Sequence, residues 1–177
     1  MKSIRVVPCG AGGVRPTAPL LGAVATALSR ELRAPATIAE QTVDTAFAHH
    51  PERNQYHSTA IIEHLARLNG NHQELVVGVT ELDLYIPILT FVFGEAQLGG
   101  TIALVSYHRL TQEFYGLPPD APLLKERLIK EAVHEAGHTL GLTHCDDYEC
   151  VMAATHAVEW LDLKGMAFCA ECRARVG

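Results

Sequence analysis

The sequence predicts one α+β domain in which a β-sheet is backed by helices, and three observations carry this prediction. The chain has 177 residues, of which 48% are hydrophobic and 19% charged, the balance of a globular chain rather than a disordered one. This length suits a single domain, so we expect residues 1–177 to fold as one unit. Strand-like and helix-like segments alternate first and then give way to consecutive strands and a long helix, an order that favours a helix-backed sheet.

The first part of the chain alternates strands and helices. Residues 3–8 have the pattern of a short strand, and the glycines after it complete neither a dinucleotide-binding fingerprint nor a P-loop, so we interpret them as a flexible turn. Apolar residues at helical spacing predict helices over residues 18–33 and 56–69. A strand is predicted between these helices, at residues 36–43.

The middle of the chain reads as β-structure and leads into a long helix. Three strand-like segments follow one another with glycines between them: residues 74–79, 89–93 and 101–107. Asp120 is a suitable N-cap for a third helix, which we expect to end at Gly141. A cysteine-rich loop, a short helix over residues 155–163 and a C-x-x-C tail complete the chain.

Charge and hydropathy exclude two broad classes. The net charge is −6 and no basic block is present, so we expect no nucleic-acid partner. The longest apolar candidate, residues 84–93, contains Pro87 and falls far short of the roughly 20 residues of a membrane span. The first residues lack the apolar core of a signal peptide, so we expect a cytoplasmic protein.

Residues 134–144 carry the pattern H-E-x-x-H-x-x-G-x-x-H. His134 and His138 are four residues apart on the predicted third helix, so their imidazoles project from one face and can bind one Zn²⁺ ion. Gly141 allows the sharp backbone turn that returns His144 as a third nitrogen ligand. Three protein ligands leave a fourth position for water, which is the arrangement of catalytic zinc sites.

Glu135 lies one position along the helix from the first histidine, where its carboxylate reaches over the metal without being a ligand. We interpret it as the general base that accepts a proton from zinc-bound water, whose pKa the metal lowers toward ~7. An isolated H-E-x-x-H arises by chance on exposed helices, but the added glycine and third histidine favour a metal-binding triad. Gly137 in mid-helix costs about 1 kcal/mol relative to alanine, which disfavours a purely structural helix.

Four of the five cysteines lie in the C-terminal part of the chain: Cys145, Cys150, Cys169 and Cys172. Their C-x₄-C and C-x₂-C spacings suit a tetrahedral structural zinc site, with two disulfides or inert buried thiols as the alternatives. The expected reducing compartment favours the metal over the disulfides. Cys9 stands alone near the first strand, and we interpret it as a small buried hydrophobic residue.

The stretch from His134 to Cys172 resembles the archaemetzincin family of metzincin-type zinc peptidases. The resemblance rests on the extended histidine motif, the cysteine directly after it, Met152 and the final C-x-x-C pair. It implies a zincin-like fold: a twisted mixed β-sheet, backing helices and an active-site helix. It also implies that Met152 is the methionine of the Met-turn, packed beneath the catalytic site. With the spacing arguments it predicts two zinc ions per chain, a catalytic one on the histidines and a structural one within residues 145–172.

The resemblance implies zinc-dependent hydrolysis of a peptide bond in peptide or protein substrates, by a zinc-bound water that Glu135 activates. Enzymes of this type bind an extended peptide along an edge strand, and residues 101–107 are the expected edge strand. One alternative is a non-catalytic, zinc-stabilised peptide-binding module, against which the intact Glu135 argues. Another is an adaptor built on the four cysteines, which leaves the histidine triad unexplained.

The sequence identifies no group that would stabilise the oxyanion of a peptidase reaction. Some metzincins place a tyrosine just after the Met-turn, but alanines follow Met152 here. Tyr148 comes before it, and its hydroxyl has no predicted position. His156 and Glu159 lie just beyond Met152. The alternatives for them are an approach to the cleft and a solvent-exposed helix face, and we favour the helix face.

Overall fold

The computed structural model describes residues 3–70 and 73–176, and within these ranges it contains nine strands and five α-helices. The strands are β1 (Ser3–Gly10), β2 (Ala36–Ile38), β3 (Val43–Asp44), β4 (His49–His50), β5 (Gln55–His57), β6 (Glu74–Thr80), β7 (Leu84–Tyr85), β8 (Gly94–Ala96) and β9 (Ile102–Ser106). The helices are α1 (Ala18–Leu32), α2 (Ser58–Leu68), α3 (Ala121–Thr139), α4 (Val158–Leu163) and α5 (Ala170–Val176).

The main sheet is mixed, with the strand order β2-β1-β6-β9-β8 and with β3 also paired to β1. Strands β2, β1, β6 and β9 are parallel, while β8 runs antiparallel to β9 and forms one edge of the sheet. A smaller sheet contains β4, β5 and β7. This architecture confirms the predicted α+β class with a mixed sheet.

Alternating side chains of the strands pack on two faces of the sheet. On one face, residues such as Ile4 and Val105 join α1 and α3 in one hydrophobic cluster. On the other face, Cys9 and Leu104 join α2 in a second cluster. The helices therefore cover both faces of the sheet, and α3 lies beside the edge strand β8. No helix in residues 3–70 and 73–176 is long and apolar enough to span a membrane.

Two predictions about the strands are wrong. Residues 89–93 form no strand: they belong to an apolar loop, which a single bridge between Leu84 and Val92 joins to β7, and the strand begins only at Gly94. Residues 101–107 do contain a strand, but β9 is paired on both sides and is not the edge. The apolar side chains of residues 89–93 suit a buried strand by composition alone, whereas here they line a cleft.

The helices follow their sequence signals more closely. The Asp120 side chain accepts a hydrogen bond of 2.9 Å from the backbone N–H of Leu123, and Gly141 has the positive φ of 86° that a sharp turn after α3 requires. The predicted strand at residues 36–43 is split into β2 and β3. Helix α4 starts at Val158, later than predicted, and the C-x-x-C tail leads into α5, which the sequence analysis missed.

Candidate active site

The three motif histidines meet where α3 ends. His134 and His138 lie on the last turns of α3. The chain makes a sharp turn at Gly141, and His144 lies in the loop that follows this turn. One ring nitrogen from each histidine lies within 4.8 Å of the corresponding nitrogens of the other two. His134 is buried, whereas His144 is exposed, so the cluster opens toward solvent on the His144 side.

Hydrogen bonds to backbone carbonyls orient the two helical imidazoles. The Nδ1–H of His134 donates to the carbonyl oxygen of Val151 at 2.8 Å, and that of His138 donates to Leu142 at 2.7 Å. These bonds assign the protons to Nδ1, so the Nε2 atoms, 3.2 Å apart, face each other as two acceptors. A tetrahedral ion with bonds of about 2.0–2.1 Å separates its nitrogen ligands by about 3.3 Å, so this geometry fits Zn²⁺.

Burial also shapes the charge of the histidines. Burial lowers the pKa of His134 well below its usual value, and the nearby Lys164 ammonium lowers it further. The pKa of His144 is lowered by burial first, then by His138, Lys164 and His156. Both rings are therefore held in the neutral form that a metal ligand requires.

Glu135 is packed against the edge strand. The residue is only 5% exposed, and burial, with Glu131 adding to the effect, raises the pKa of its carboxyl well above its usual range. A Cβ atom at Gly94 of β8 would lie 2.6 Å from Cγ and 2.8 Å from Oε1 of Glu135. The glutamate therefore occupies space that only a glycine at position 94 leaves free. The sequence carries no local signal for this contact.

Met152 is fully buried against the histidine-bearing helix. A Cβ atom at Gly137 would lie 2.4 Å from its Sδ atom. The mid-helix glycine, conspicuous in the sequence for its low helix propensity, thus allows Met152 to approach α3 between the two histidines. The backbone N–H of Cys145 donates to the carbonyl of Met152 at 3.0 Å, which joins the methionine turn to the end of the histidine motif.

A buried ion pair that the sequence analysis missed lies behind the histidines. Nζ of Lys164 is 3.3 Å from Oε1 of Glu131, and both side chains are less than 5% exposed. Lys164 also donates to the carbonyl of Ala153 at 3.4 Å, and the Thr155 hydroxyl donates to Glu131 at 3.4 Å. These contacts fasten residues 153–155 to α3.

A cleft of about 440 Å³ opens over the histidines. It is lined by the apolar loop, β8, α3 and the segment that follows Met152. Its lining residues are Ile86, Leu89, Thr90, Phe91, Val92, Phe93, Gly94, Glu95, Ala96, Glu131, His134, Glu135, His138, His144, Ala154, Thr155 and His156. The interpretation of His156 as part of a helix face is wrong, because it precedes α4 and lines the cleft. Tyr148 is 73% exposed and lies outside the lining.

The four C-terminal cysteines form a second cluster. Their Sγ atoms all lie within 4.8 Å of one another, and those of Cys145 and Cys169 are 3.9 Å apart. Tetrahedral zinc with bonds of about 2.3 Å separates its sulfur ligands by about 3.8 Å, so the donor set fits Zn²⁺. All five cysteines are free thiols, and Cys9 is fully buried away from this cluster, in the core beneath α2.

Backbone N–H groups point at the clustered sulfurs. Met152 and Cys169 donate to Sγ of Cys150 at 3.4 and 3.3 Å, and Cys172 donates to Sγ of Cys169 at 3.5 Å. The bond from Cys172 lowers the pKa of the Cys169 thiol, whereas burial raises that of Cys172. Donors aimed at sulfur stabilise thiolates, which are the forms that bind metal.

The geometry of the site defines a class of protein. A glutamate that directly follows the first of two helical histidines, below the edge of a mixed sheet, is the arrangement of zincin-type metallopeptidases.

Comparisons with known proteins narrow this class to a family. The sequence model of peptidase family M54 matches residues 21–177. The archaemetzincin of Methanocaldococcus jannaschii is 46% identical over 126 residues, which cover 71% of this chain and 68% of that protein. The crystal structure of a zinc-dependent peptidase from Methanocorpusculum labreanum matches with a TM-score of 0.87 and 29% identity over 100% of both chains.

The archaemetzincin of Archaeoglobus fulgidus, whose crystal structure is a complex with malonate, has a TM-score of 0.80 and 33% identity over 99% of both chains. The present chain belongs to peptidase family M54, the archaemetzincins, and is a zinc metallopeptidase.

Proposed function

We propose that this chain hydrolyses peptide bonds with one zinc ion held by His134, His138 and His144 and with Glu135 as the general base. The observation that carries the proposal is the placement of a buried carboxylate beside the histidine cluster, within an open cleft. A non-catalytic peptide-binding module has no use for a base at this position.

Each residue of the proposed site has a separate task. Zinc, when bound, supplies Lewis acidity that makes water a stronger nucleophile and polarises the scissile carbonyl. Glu135 accepts a proton from the attacking water and returns it to the leaving amine nitrogen, so that no net proton is lost. The carbonyls of Val151 and Leu142 hold the two helical imidazoles in the ligating tautomer.

The edge strand β8 supports an extended substrate. The backbone of Phe93 accepts a hydrogen bond from Ser106, and that of Gln97 donates to Ile102, so alternate residues of β8 bond to β9. The backbone groups of Gly94 and Ala96 then face away from the sheet, toward the cleft they line. A peptide that adds itself as a further strand would pair with these groups.

The proposal also includes a second metal ion on the four cysteines and a cytoplasmic location for the domain. We assign a structural zinc ion to Cys145, Cys150, Cys169 and Cys172, which gives two ions per chain. We also propose that residues 1–177 act as a single catalytic domain in the cytoplasm, because clustered free thiols suit a reducing compartment.

The variant Glu135→Gln tests the proposed function. Zinc-loaded protein is incubated with a peptide library, and cleavage is followed by mass spectrometry. Loss of the base should lower kcat by about 10²- to 10⁴-fold while the zinc content stays the same. Glu63→Gln, at an exposed position of α2, is the matched control and should behave like the wild-type protein.

Two results contradict the proposal. Unchanged cleavage by the Glu135→Gln protein would remove the carboxylate from the mechanism. Peptides that bind the wild-type protein but are never cleaved would instead favour the binding-module alternative.

A further inference from the structure

We propose that His156 is a catalytic residue whose imidazole N–H donates a hydrogen bond to the carbonyl oxygen of the scissile peptide bond. This inference rests on the proposed peptide hydrolysis and supplies the oxyanion stabiliser that the sequence does not reveal. The hydrogen bond strengthens as negative charge develops on that oxygen, and no proton leaves the imidazole.

The position of His156 in the cleft is the first argument. His156 lines the same cleft as β8 and the three motif histidines. A peptide that lies along β8 would therefore occupy the cleft that the segment carrying His156 also lines.

The composition of the cleft lining is the second argument. None of the five tyrosines and none of the lysines or arginines lines the cleft, so the common side-chain oxyanion donors are absent from its described lining. Outside the motif histidines, the polar hydrogen donors among the lining side chains are Thr90, Thr155 and His156. The Thr155 hydroxyl already donates to Glu131. Thr90 belongs to the apolar loop, where Arg53 and Gln55 both donate to its backbone carbonyl.

The free state of the His156 ring is the third argument. Within residues 3–70 and 73–176 it makes no hydrogen bond or ion pair, and it is exposed to the cleft. The backbone that carries it is fixed, because Lys164 binds the carbonyl of Ala153 and Thr155 binds Glu131. A free donor on an anchored segment can serve a ligand at little cost in conformational entropy.

The test compares His156→Ala with His156→Asn, which keeps an N–H donor. Both zinc-loaded variants are assayed for kcat and KM on the best peptide from the library. Their affinities for a phosphinic peptide, a tetrahedral mimic of the transition state, and for a simple hydroxamate are also measured. His49→Ala is the matched control, since His49 is exposed and does not line the cleft.

We expect the alanine variant to lose about 100-fold in kcat with little change in KM. Its affinity for the phosphinic peptide should fall in parallel with kcat/KM, because both report on the tetrahedral oxygen. Its zinc content and hydroxamate affinity should not change, and the asparagine variant should recover part of both losses.

Three outcomes would overturn the assignment. These are an alanine variant with wild-type kcat, a loss confined to KM, or an asparagine variant no better than alanine. A failure of the proposed function gives a different result, because the wild-type protein itself would then cleave no peptide. In that case the loss of phosphinic-peptide affinity in His156→Ala still decides whether His156 binds a tetrahedral oxygen.

Discussion

The histidine cluster and the cysteine cluster are adjacent in the chain yet differ in construction. His144 and Cys145 are consecutive residues, but their side chains belong to different clusters. The histidines line an open cleft, with His144 exposed. The cysteines are gathered from two loops and the start of α5, with Cys150 and Cys172 buried.

The difference between the clusters shows how the number and type of ligands determine whether solvent can reach a bound metal ion. Four sulfurs, of which those of Cys150 and Cys169 accept hydrogen bonds from backbone N–H groups, can complete the shell of a tetrahedral ion without solvent. Three imidazoles leave one position open, as a reaction at the metal requires. The closed cluster therefore suits a structural role, and the open one suits exchange with solvent and substrate.

The two clusters are also coupled through a short piece of backbone. Between Cys150 and Met152, the carbonyl of Val151 accepts the hydrogen bond from His134. The Cys145 N–H in turn binds the carbonyl of Met152. The cysteine cluster thus fixes the segment that orients the histidines, so we expect damage to spread from the cysteines to the histidines more than in the reverse direction.

The double variant Cys169→Ser/Cys172→Ser tests this asymmetry and should have the largest effect of the substitutions that probe the coupling between the clusters. Without a metal on the cysteines, we expect the turn that carries Val151 and Met152 to loosen and His144 to become disordered. We expect activity to fall by about 100-fold, the upper end for loss of metal-supporting contacts, and the catalytic zinc to bind more weakly. Zinc per chain and peptide cleavage are the measurements. Full activity together with retained catalytic zinc would show that the clusters are independent.

Gly94→Ala should damage the histidine side alone. The new methyl group would lie 2.6 Å from Cγ of Glu135 and 2.8 Å from the backbone carbonyl oxygen of Leu104, so the Glu135 side chain and β8 must both shift. A displacement below 1 Å at a reacting group costs about tenfold in kcat. Steady-state kinetics and zinc content check this, and two zinc ions per chain should remain. Wild-type kcat would mean that Glu135 tolerates the shift.

Gly137→Ala probes the packing beneath the histidines. The added Cβ would approach Met152 Sδ to 2.4 Å, and we expect overpacking of this kind to destabilise the fold by about 1–3 kcal/mol. Gly22→Ala in α1 is the matched control, because nothing lies within 4 Å of its Cβ. It should stabilise by about 0.5–1 kcal/mol through helix propensity. Equal unfolding free energies for the two variants, from denaturant titration, would contradict the packing argument.

Mild chelation compares how firmly the two clusters hold zinc, and it requires no substitution in the protein. We expect zinc per chain, measured by elemental mass spectrometry, to fall from two to one as the open histidine site empties first. Activity should disappear in step and return when zinc is added back. Simultaneous loss of both ions would show that access does not govern retention.

The helices α1, α2 and α3 and the ligand sets of both clusters were predictable from sequence because their signals are local, whereas α5 was not predicted. The histidine spacing follows one face of a helix, and Asp120 and Gly141 mark its ends by backbone chemistry. The edge strand was not predictable in this way. An apolar run such as residues 89–93 fits a buried strand or a cleft wall equally well, and the order of strands depends on contacts between distant segments.

What the sequence alone determined is therefore the inventory of chemistry: three histidines, a glutamate and four cysteines at ligand spacing. Only the tertiary structure decided which strand borders the cleft, why positions 94 and 137 require glycine, and that His156 faces the site. These properties arise where segments far apart in the chain meet at van der Waals distance, and no local pattern encodes such distances. The pair Lys164–Glu131 is the same case, because 33 residues separate two side chains whose charged atoms lie 3.3 Å apart.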